Sequence, residues 1–272
     1  MLREVFSSMA AEAKKQHKMN FHSKLMYYSM LLWPVLQLIA SYYSYKPFEN
    51  TQISSVIAAW IGKDKVFAFV LFGSIGYMFY GSFIQSAWRF SFERTAGTLE
   101  LIYITPASRL GVMLGNALAS LFVSAWMFTV FCVGALIFFS DLIVHLSMLP
   151  VAVLALTLPA ICWGIFLNSM FMFTRDSGLL YEILQSPMEM FGGTKIPFAI
   201  FPLWGKIFGS VFPLTWSIIV LRKIFMQGAG LAEIRSELLL LCGMCFLLIG
   251  LTMYLLKKAE QYGRKTGNMA MF

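Results

Sequence analysis

Long apolar runs constrain this chain more than any other feature. Hydrophobic residues make up 59% of its 272 residues and charged residues only 12%, whereas a soluble domain usually has about a quarter of its residues charged. A helix needs about 20 mainly apolar residues to cross the hydrocarbon core of a bilayer. We therefore predict an all-α membrane protein in which residues 1–272 form a single transmembrane domain. The six predicted transmembrane helices are residues 25–45, 66–88, 111–139, 148–173, 179–194 and 238–256.

A polar loop, residues 89–110, separates the second and third predicted spans. Gly97 can end the preceding helix, because glycine tolerates the left-handed conformation at a helix C-terminus. Thr98 can then cap a short helix over residues 99–104, and Thr105-Pro106 supplies a cap and a first-turn proline for the next helix. This pattern predicts a short helix that lies across a membrane surface. The charged residues of the loop include Glu93, Arg94, Glu100 and Arg109.

Residues 1–24 have an amphipathic pattern. Leu2, Phe6, Met9 and Ala13 recur at helical spacing, and a basic cluster at residues 14–18 follows them. A helix with an apolar stripe and a basic face is typical of a segment that lies in the plane of the membrane interface. We therefore predict an N-terminal interfacial amphipathic helix on the cytoplasmic leaflet.

The segment between the fifth and sixth predicted spans cannot be one continuous helix. Proline removes a backbone donor and clashes with the preceding turn, and several prolines and a glycine pair interrupt this segment. Residues 195–226 are therefore predicted to form two short re-entrant helices that enter the outer leaflet and return, with their irregular backbone covered by protein or water. The interrupting residues are Gly192, Gly193, Pro197, Pro202 and Pro213.

Two motifs resemble those of ABC-2-type transporter permeases. The first reads Glu-Arg-x-x-Gly-Thr-Leu-Glu-x-x-x-x-Thr-Pro-x-Ser-Arg over residues 93–109, with Leu114-Gly115 after it. The second occurs in the family's order, late in the chain. It consists of Gly192-Gly193-x-x-x-Pro197, Phe201-Pro202-x-Trp204, Phe212-Pro213-Leu214-Thr215 and Leu221-Arg222.

This resemblance implies a function in transport. Residues 99–104 would be a cytoplasmic coupling helix that docks on a separate ATP-hydrolysing subunit, and the interrupting residues would form an outer gate. Two permease chains, most simply a homodimer, would enclose a pathway and bind two copies of the ABC nucleotide-binding ATPase, which would carry ATP and Mg. The residues that the resemblance assigns to coupling are Glu93, Arg94, Gly97, Thr98, Leu99, Glu100, Thr105, Pro106 and Arg109.

The chain would then be the membrane-spanning permease subunit of an ABC exporter for a hydrophobic or amphipathic substrate, such as a drug, an antibiotic peptide or a lipid. Two alternatives stay open. One is the permease of a lipid-linked polysaccharide exporter, because an aromatic content of 16% suits sugar stacking and lipid contact equally. The other is a membrane sensor or scaffold that has the same fold and transports nothing.

Three polar residues fall in the fifth predicted span. Glu182 and Glu189 are seven residues apart, so they lie on one helical face with Gln185 between them. An ionised carboxylate that faces lipid costs a few kcal/mol even on insertion scales. These residues could therefore line the transport pathway, or the two carboxylates could pair internally with Arg175, Lys195 or Arg222.

No catalytic residue, metal site or cofactor is expected in this chain. It has no Gly-x-x-x-x-Gly-Lys-Ser/Thr motif to cradle ATP phosphates, and its three histidines lack zinc-ligand spacing. The net charge of +8 fits anchoring to anionic membrane lipid, and no basic face interleaved with aromatic residues indicates nucleic-acid binding. Lys and Arg are more frequent on the side of the two termini. We therefore expect a multi-pass protein of a prokaryotic cell membrane with both termini in the cytoplasm.

Overall fold

The computed structural model describes residues 2–21, 23–45, 65–95, 105, 107–138, 146–171 and 177–266, most of which are helical, and no strand occurs among them. Two short 3-10 turns, Leu146–Met148 and Phe198–Ile200, precede α5 and α7. The α-helices are α1 Leu2–Asn20, α2 Lys24–Tyr45, α3 Val66–Thr95, α4 Arg109–Phe138, α5 Leu149–Phe171, α6 Ser177–Phe191, α7 Leu203–Val211, α8 Pro213–Gln227 and α9 Arg235–Thr266.

Four of these helices are long and apolar enough to cross a membrane. They contain the candidate spans Val66–Trp88, Gly111–Val130, Leu149–Phe171 and Arg235–Lys258. The pair formed by α7 and α8 also qualifies when its two helices are taken together, although it is bent by 95°. The described residues therefore contain four to five candidate spans, and the prediction of six is not confirmed.

The two remaining predicted spans differ from the four in specific ways. The first, residues 25–45, coincides with α2, but α2 is not among the four helices, so its crossing of the membrane stays a prediction. The fifth, residues 179–194, corresponds to α6, which has only 15 residues. At 1.5 Å per residue α6 is about 22 Å long, less than the roughly 30 Å of a bilayer core. Gly193 follows it with a φ of 72°, a left-handed conformation that ends the helix.

Helix α3 is the centre of the bundle. It packs against α4, α5, α6 and α8, and 67% of its candidate span is buried. Only 17% of the α9 span is buried, and side chains such as Phe246, which is 78% exposed, point away from the protein. Soluble monomers rarely expose an apolar face of this extent. The outer side of α9 is therefore consistent with contact to lipid.

A buried hydrogen-bond chain connects three helices of the core. The Ser217 hydroxyl on α8 donates to the Ala155 carbonyl oxygen on α5 at 2.7 Å. Its oxygen lies 2.8 Å from the Tyr80 hydroxyl on α3, so Tyr80 is the donor in that second bond. All three residues are buried. These two hydrogen bonds fix α8, the second of the two short helices after α6, in the bundle.

Candidate functional site

Helix α6 lies along α3 and runs in the opposite direction. At one end the rings of Trp88 and Tyr181 are 5.3 Å apart between centroids. Further along, the Gln185 Nε2 atom donates to the Tyr77 hydroxyl at 2.9 Å. Residue numbers increase along α6 from 181 to 185 between these two contacts, while they decrease along α3 from 88 to 77. The two helices are therefore antiparallel. One face of α6 is thereby fixed against α3.

The three residues that the sequence assigned to the pathway have different environments. Glu182 is exposed, on a face of α6 that also carries exposed Leu179 and Ile183. Gln185 is half-buried against Tyr77, and its Oε1 atom is buried without a hydrogen-bond partner among the described residues.

Glu189 has an internal partner. Its Oε1 atom lies 2.8 Å from the Lys195 Nζ atom, and the side chains of Glu189 and Lys195 are 36% and 63% exposed. Internal pairing, one of the two alternatives for these carboxylates, is thus present for Glu189, and its partner is Lys195. Arg175, another of the candidate partners, lies outside the described residues.

The residues assigned to the outer gate lie where local elements end or begin. Pro197 precedes the turn Phe198–Ile200, Pro202 is the N-cap residue of α7, and Pro213 is the first residue of α8. A proline is tolerated at each of these positions, because the first turn of a helix leaves its N–H groups without intrahelical acceptors. Two short helices are thus present between residues 195 and 227, as expected, and their depth in the membrane stays a prediction.

Helix α7 has one buried face and one exposed face. Gly205 and Gly209 are buried, and Gly209 lies so close to Phe191 that an added Cβ atom would be 2.4 Å from the Phe191 carbonyl oxygen. The Phe191 ring also packs on Trp204 and Phe208. Five large apolar side chains of α7 are nevertheless each at least 57% exposed. They are Leu203, Trp204, Ile207, Phe208 and Val211.

Arg222 connects the end of α6 to α3. It is 7% exposed, and its guanidinium donates to the Phe69 carbonyl oxygen of α3 from Nε at 3.2 Å and from Nη2 at 2.8 Å. Nη1 donates to the Gly193 carbonyl oxygen at 2.7 Å, and Nη2 also donates to that of Thr194 at 2.8 Å. The guanidinium carbon lies 3.3 Å from the centroid of the Phe69 ring. We call this set of contacts the Arg222 joint.

Most of the coupling residues cannot be placed. Gly97, Thr98, Leu99, Glu100 and Pro106 lie outside the described residues, so the coupling helix at residues 99–104 stays a prediction. Glu93 and Arg94 belong to the last turn of α3, and Arg109 is the first residue of α4. Thr105 is exposed. The described ends of α3 and α4 thus flank the segment.

Helix α1 packs along the first half of α4. A Cβ atom added to Gly111 would lie 2.6 Å from the Val5 carbonyl oxygen, and one added to Gly115 would lie 2.5 Å from that of Met9. Further on, the ring of His17 lies 5.1 Å from that of Phe122. Residue numbers rise together on both helices, so the pair is parallel. The interfacial position of residues 1–24 stays a prediction.

The face of α1 that packs on α4 includes Met9 and Ala13 of the predicted apolar stripe, but its most buried residues are polar. Phe6, expected on that stripe, is 63% exposed, while Glu12 and Gln16 are each 6% exposed. The Gln16 Nε2 atom donates to Glu12 Oε1 at 2.8 Å, and Lys15 Nζ lies 2.9 Å from the same oxygen. Mutual hydrogen bonding allows the polar pair to face α4, and periodicity of apolar residues could not reveal it.

Three structural features were not predicted from the sequence. Arg222 was considered only as a possible ion-pair partner, although its spacing of four residues from Ile218 and three from Phe225 places it on a buried face of α8. The Ser108 N–H donates to the Ser8 hydroxyl at 3.0 Å, a contact between α1 and the exit of the polar loop. The pair Gly111 and Gly115 has the small-xxx-small spacing of closely packed membrane helices.

Within the described part of the chain, no group of three His, Cys, Asp or Glu residues is arranged to hold a metal ion. No protein-family model matches the chain, and no curated protein matches it either. The resemblance to ABC-2-type permeases is therefore carried by the two motifs alone.

Proposed function

We propose that this chain is the membrane-spanning permease subunit of an ATP-driven exporter. The observation that carries the proposal is the broken segment after α6. Two apolar helices meet there at 95°, α8 is anchored in the core, and α7 exposes an almost wholly apolar face. A water-soluble bundle rarely exposes such an apolar face to solvent. A gate at the outer edge of a membrane pathway, in contrast, requires apolar elements that can contact lipid or a second chain.

The substrate class follows from the exposed face of α6. Leu179, Ile183 and Met190 are 55–69% exposed, and the carboxylate of Glu182 lies among them. A second copy of the chain that faced this surface would enclose a mostly apolar wall with one acceptor group. Such a wall suits a hydrophobic or amphipathic compound that has a cationic or hydrogen-bonding part, and this favours a drug, an antibiotic peptide or a lipid.

ATP hydrolysis would take place in a separate nucleotide-binding subunit, bound at residues 99–104. The motif over residues 93–109 supports this division of labour. The contacts of α1 with the start of α4 add a structural reason, because they hold the exit of the loop in a defined position. A dimer of this chain with two ATPase subunits is the assembly that the proposal requires.

Reconstitution tests the proposal. The chain would be placed in liposomes together with an ABC ATPase subunit from the same organism, and the probe would be a lipophilic cationic dye. We expect the dye to stimulate ATP hydrolysis and to move across the bilayer only when ATP is present. Stimulation by a lipid-linked oligosaccharide but not by the dye would exclude the substrate class, and ATP hydrolysis without movement of either probe would contradict an exporter.

A further inference from the structure

Helix α3 connects the two regions that the proposed function assigns to coupling and gating. Its last residues, Glu93 to Thr95, lead into the polar loop, and its first turns carry Phe69 and Gly73. Residues 69 and 93 are separated by 24 helical steps, or about 36 Å along the axis. A displacement of the loop therefore reaches the opposite end of α3 if the helix moves as a rigid rod. The contacts that α3 makes at that end determine which part of the protein such a displacement would move.

The Arg222 joint is what α3 holds there. A single guanidinium binds the Phe69 carbonyl oxygen on α3 and the carbonyl oxygens of Gly193 and Thr194 beyond the end of α6. Arginine is suited to this position, because its planar fork offers five fixed donors and remains charged. The side chain is 7% exposed, so little water competes for these bonds.

Gly73 brings the two backbones together. A Cβ atom at this position would lie 1.8 Å from the Thr194 carbonyl oxygen and 2.5 Å from Arg222 Nη2. Only a glycine leaves room for the chain after α6 to pass directly over α3. Two features therefore hold residues 193–194 against α3. Gly73 has no side chain that would keep the backbones apart, and the Arg222 guanidinium from α8 bonds to both.

We infer that Arg222 is a positioning residue that fixes the outer gate to α3, so that a movement of the polar loop at one end of α3 displaces the gate at the other. This inference rests on the proposed function for its meaning, since it names the element through which that gate is driven. The physical attachment of residues 193–194 to α3 can be measured without any ATPase or substrate.

The first experiment measures amide hydrogen exchange in the full-length chain in lipid nanodiscs. Arg222→Gln removes the cation, and Gly73→Ala forces the backbones apart while residue 222 stays an arginine. We expect amides in residues 189–202 to exchange at least about tenfold faster in both variants, because each loses hydrogen bonds to a charged group. Exchange in α5 should not change. Gly81→Ala on the same helix is the control, since a Cβ atom there meets nothing within 4 Å.

The possible results separate positioning from general stabilisation. Unchanged exchange at residues 189–202 in both variants, or an equal increase across α5 and the gate, would overturn the inference. Arg222→Lys keeps the charge but cannot bridge Phe69 and Gly193 with a planar fork, so only partial protection should return. Full protection in the lysine variant would show that charge alone suffices and would also count against the joint.

The second experiment measures transmission in the complete complex with the ATPase. A cysteine at Phe208, which is 58% exposed on α7, would be labelled with a membrane-impermeant thiol reagent, with and without a non-hydrolysable ATP analogue. Wild-type labelling should depend on nucleotide, and Arg222→Gln and Gly73→Ala should remove that dependence while ATP hydrolysis continues. Nucleotide-dependent labelling retained in both variants would overturn the transmission. A wild-type chain without nucleotide dependence would instead contradict the proposed function, and the exchange experiment would still decide the attachment.

Discussion

The Nζ atom of Lys195 lies 2.8 Å from Oε1 of Glu189, so the last carboxylate of α6 pairs with the first cation beyond the break. Glu182, two turns earlier, is exposed on the face of α6 that carries Leu179 and Ile183. The two carboxylates are predicted to share a helical face, but their surroundings in the structure differ. Their replacement should therefore have different consequences.

Glu182→Gln should change substrate preference without a loss of folded protein. The carboxylate lies on the face that a second chain would enclose, so its removal weakens attraction for a cationic substrate. The measurement is the ratio of transport rates for a cationic and an uncharged amphipathic dye. Glu189→Gln is the matched control, because it breaks an exposed ion pair that contributes only about 0.2–1 kcal/mol. Equal selectivity in the wild type and Glu182→Gln, or the same shift in both variants, would remove Glu182 from the pathway.

Ser217→Ala should lower the stability of the bundle. The change leaves the buried Tyr80 hydroxyl without its acceptor, which costs about 1–3 kcal/mol. The free energy of unfolding in mixed detergent micelles would measure the loss. Ser210→Ala is the control, because that hydroxyl donates only to the Ile207 carbonyl oxygen of its own helix.

Tyr80→Phe combined with Ser217→Ala distinguishes a coupled pair from two separate sites. With both hydroxyls removed, no donor remains unsatisfied, so the double variant should lose less stability than the two single variants added together. Simple additivity would show that the two groups do not interact.

Gly115→Ala should displace α1 from α4. An added methyl group would lie 2.5 Å from the Met9 carbonyl oxygen and 2.7 Å from the Glu12 Cβ atom, so the helices must separate. Overpacking of this kind costs about 1–3 kcal/mol. Limited proteolysis in the first 20 residues should become faster, while Gly81→Ala should leave it unchanged. Equal proteolysis of the Gly115→Ala variant and the wild type would contradict the packing of α1.

Cysteines at Phe208 and Ile196 should react with an impermeant thiol reagent from the outer side of the membrane only. Both side chains are more than 40% exposed, and neither position belongs to the Arg222 joint. The predicted orientation places the segment after α6 on the side opposite the termini. A cysteine at Lys257, which is exposed near the end of α9, is the control and should react from the cytoplasmic side. Labelling of Phe208 from the cytoplasmic side alone would invert the topology.

The regular parts of the fold were predictable because they depend on local chemistry. The second predicted span, residues 66–88, coincides with a candidate span, since a long apolar run leaves a helix as the only way to satisfy the backbone in lipid. Pro202 and Pro213 lie at helix starts, where a residue without an N–H group loses no intrahelical hydrogen bond. These outcomes need no knowledge of tertiary contacts.

The parts that were not predicted depend on which polar groups meet across the bundle. The sequence alone does not distinguish Arg222 from the other cations of this segment. The structure shows that its guanidinium donates to the carbonyl oxygens of Phe69 and Gly193. Glu12 and Gln16 appear as a solvated pair in the sequence, but they face α4 because they hydrogen-bond to each other. The sequence left three cations as possible ion-pair partners of Glu189, and the structure shows that Lys195 is its partner.

The central claim is that residues 93–109 bind an ATPase. Purification of the assembled complex tests this claim most directly. The chain would be expressed with candidate ABC ATPase subunits from the same organism and purified through a tag on the chain, and ATP hydrolysis would be measured per permease dimer. The account predicts a stable complex of two permease chains and two ATPase subunits. In the double variant Glu93→Lys and Glu100→Lys, the dimer should remain and both the ATPase subunits and the hydrolysis should be lost. A double variant that retains ATPase subunits and hydrolysis at the wild-type level would contradict the account.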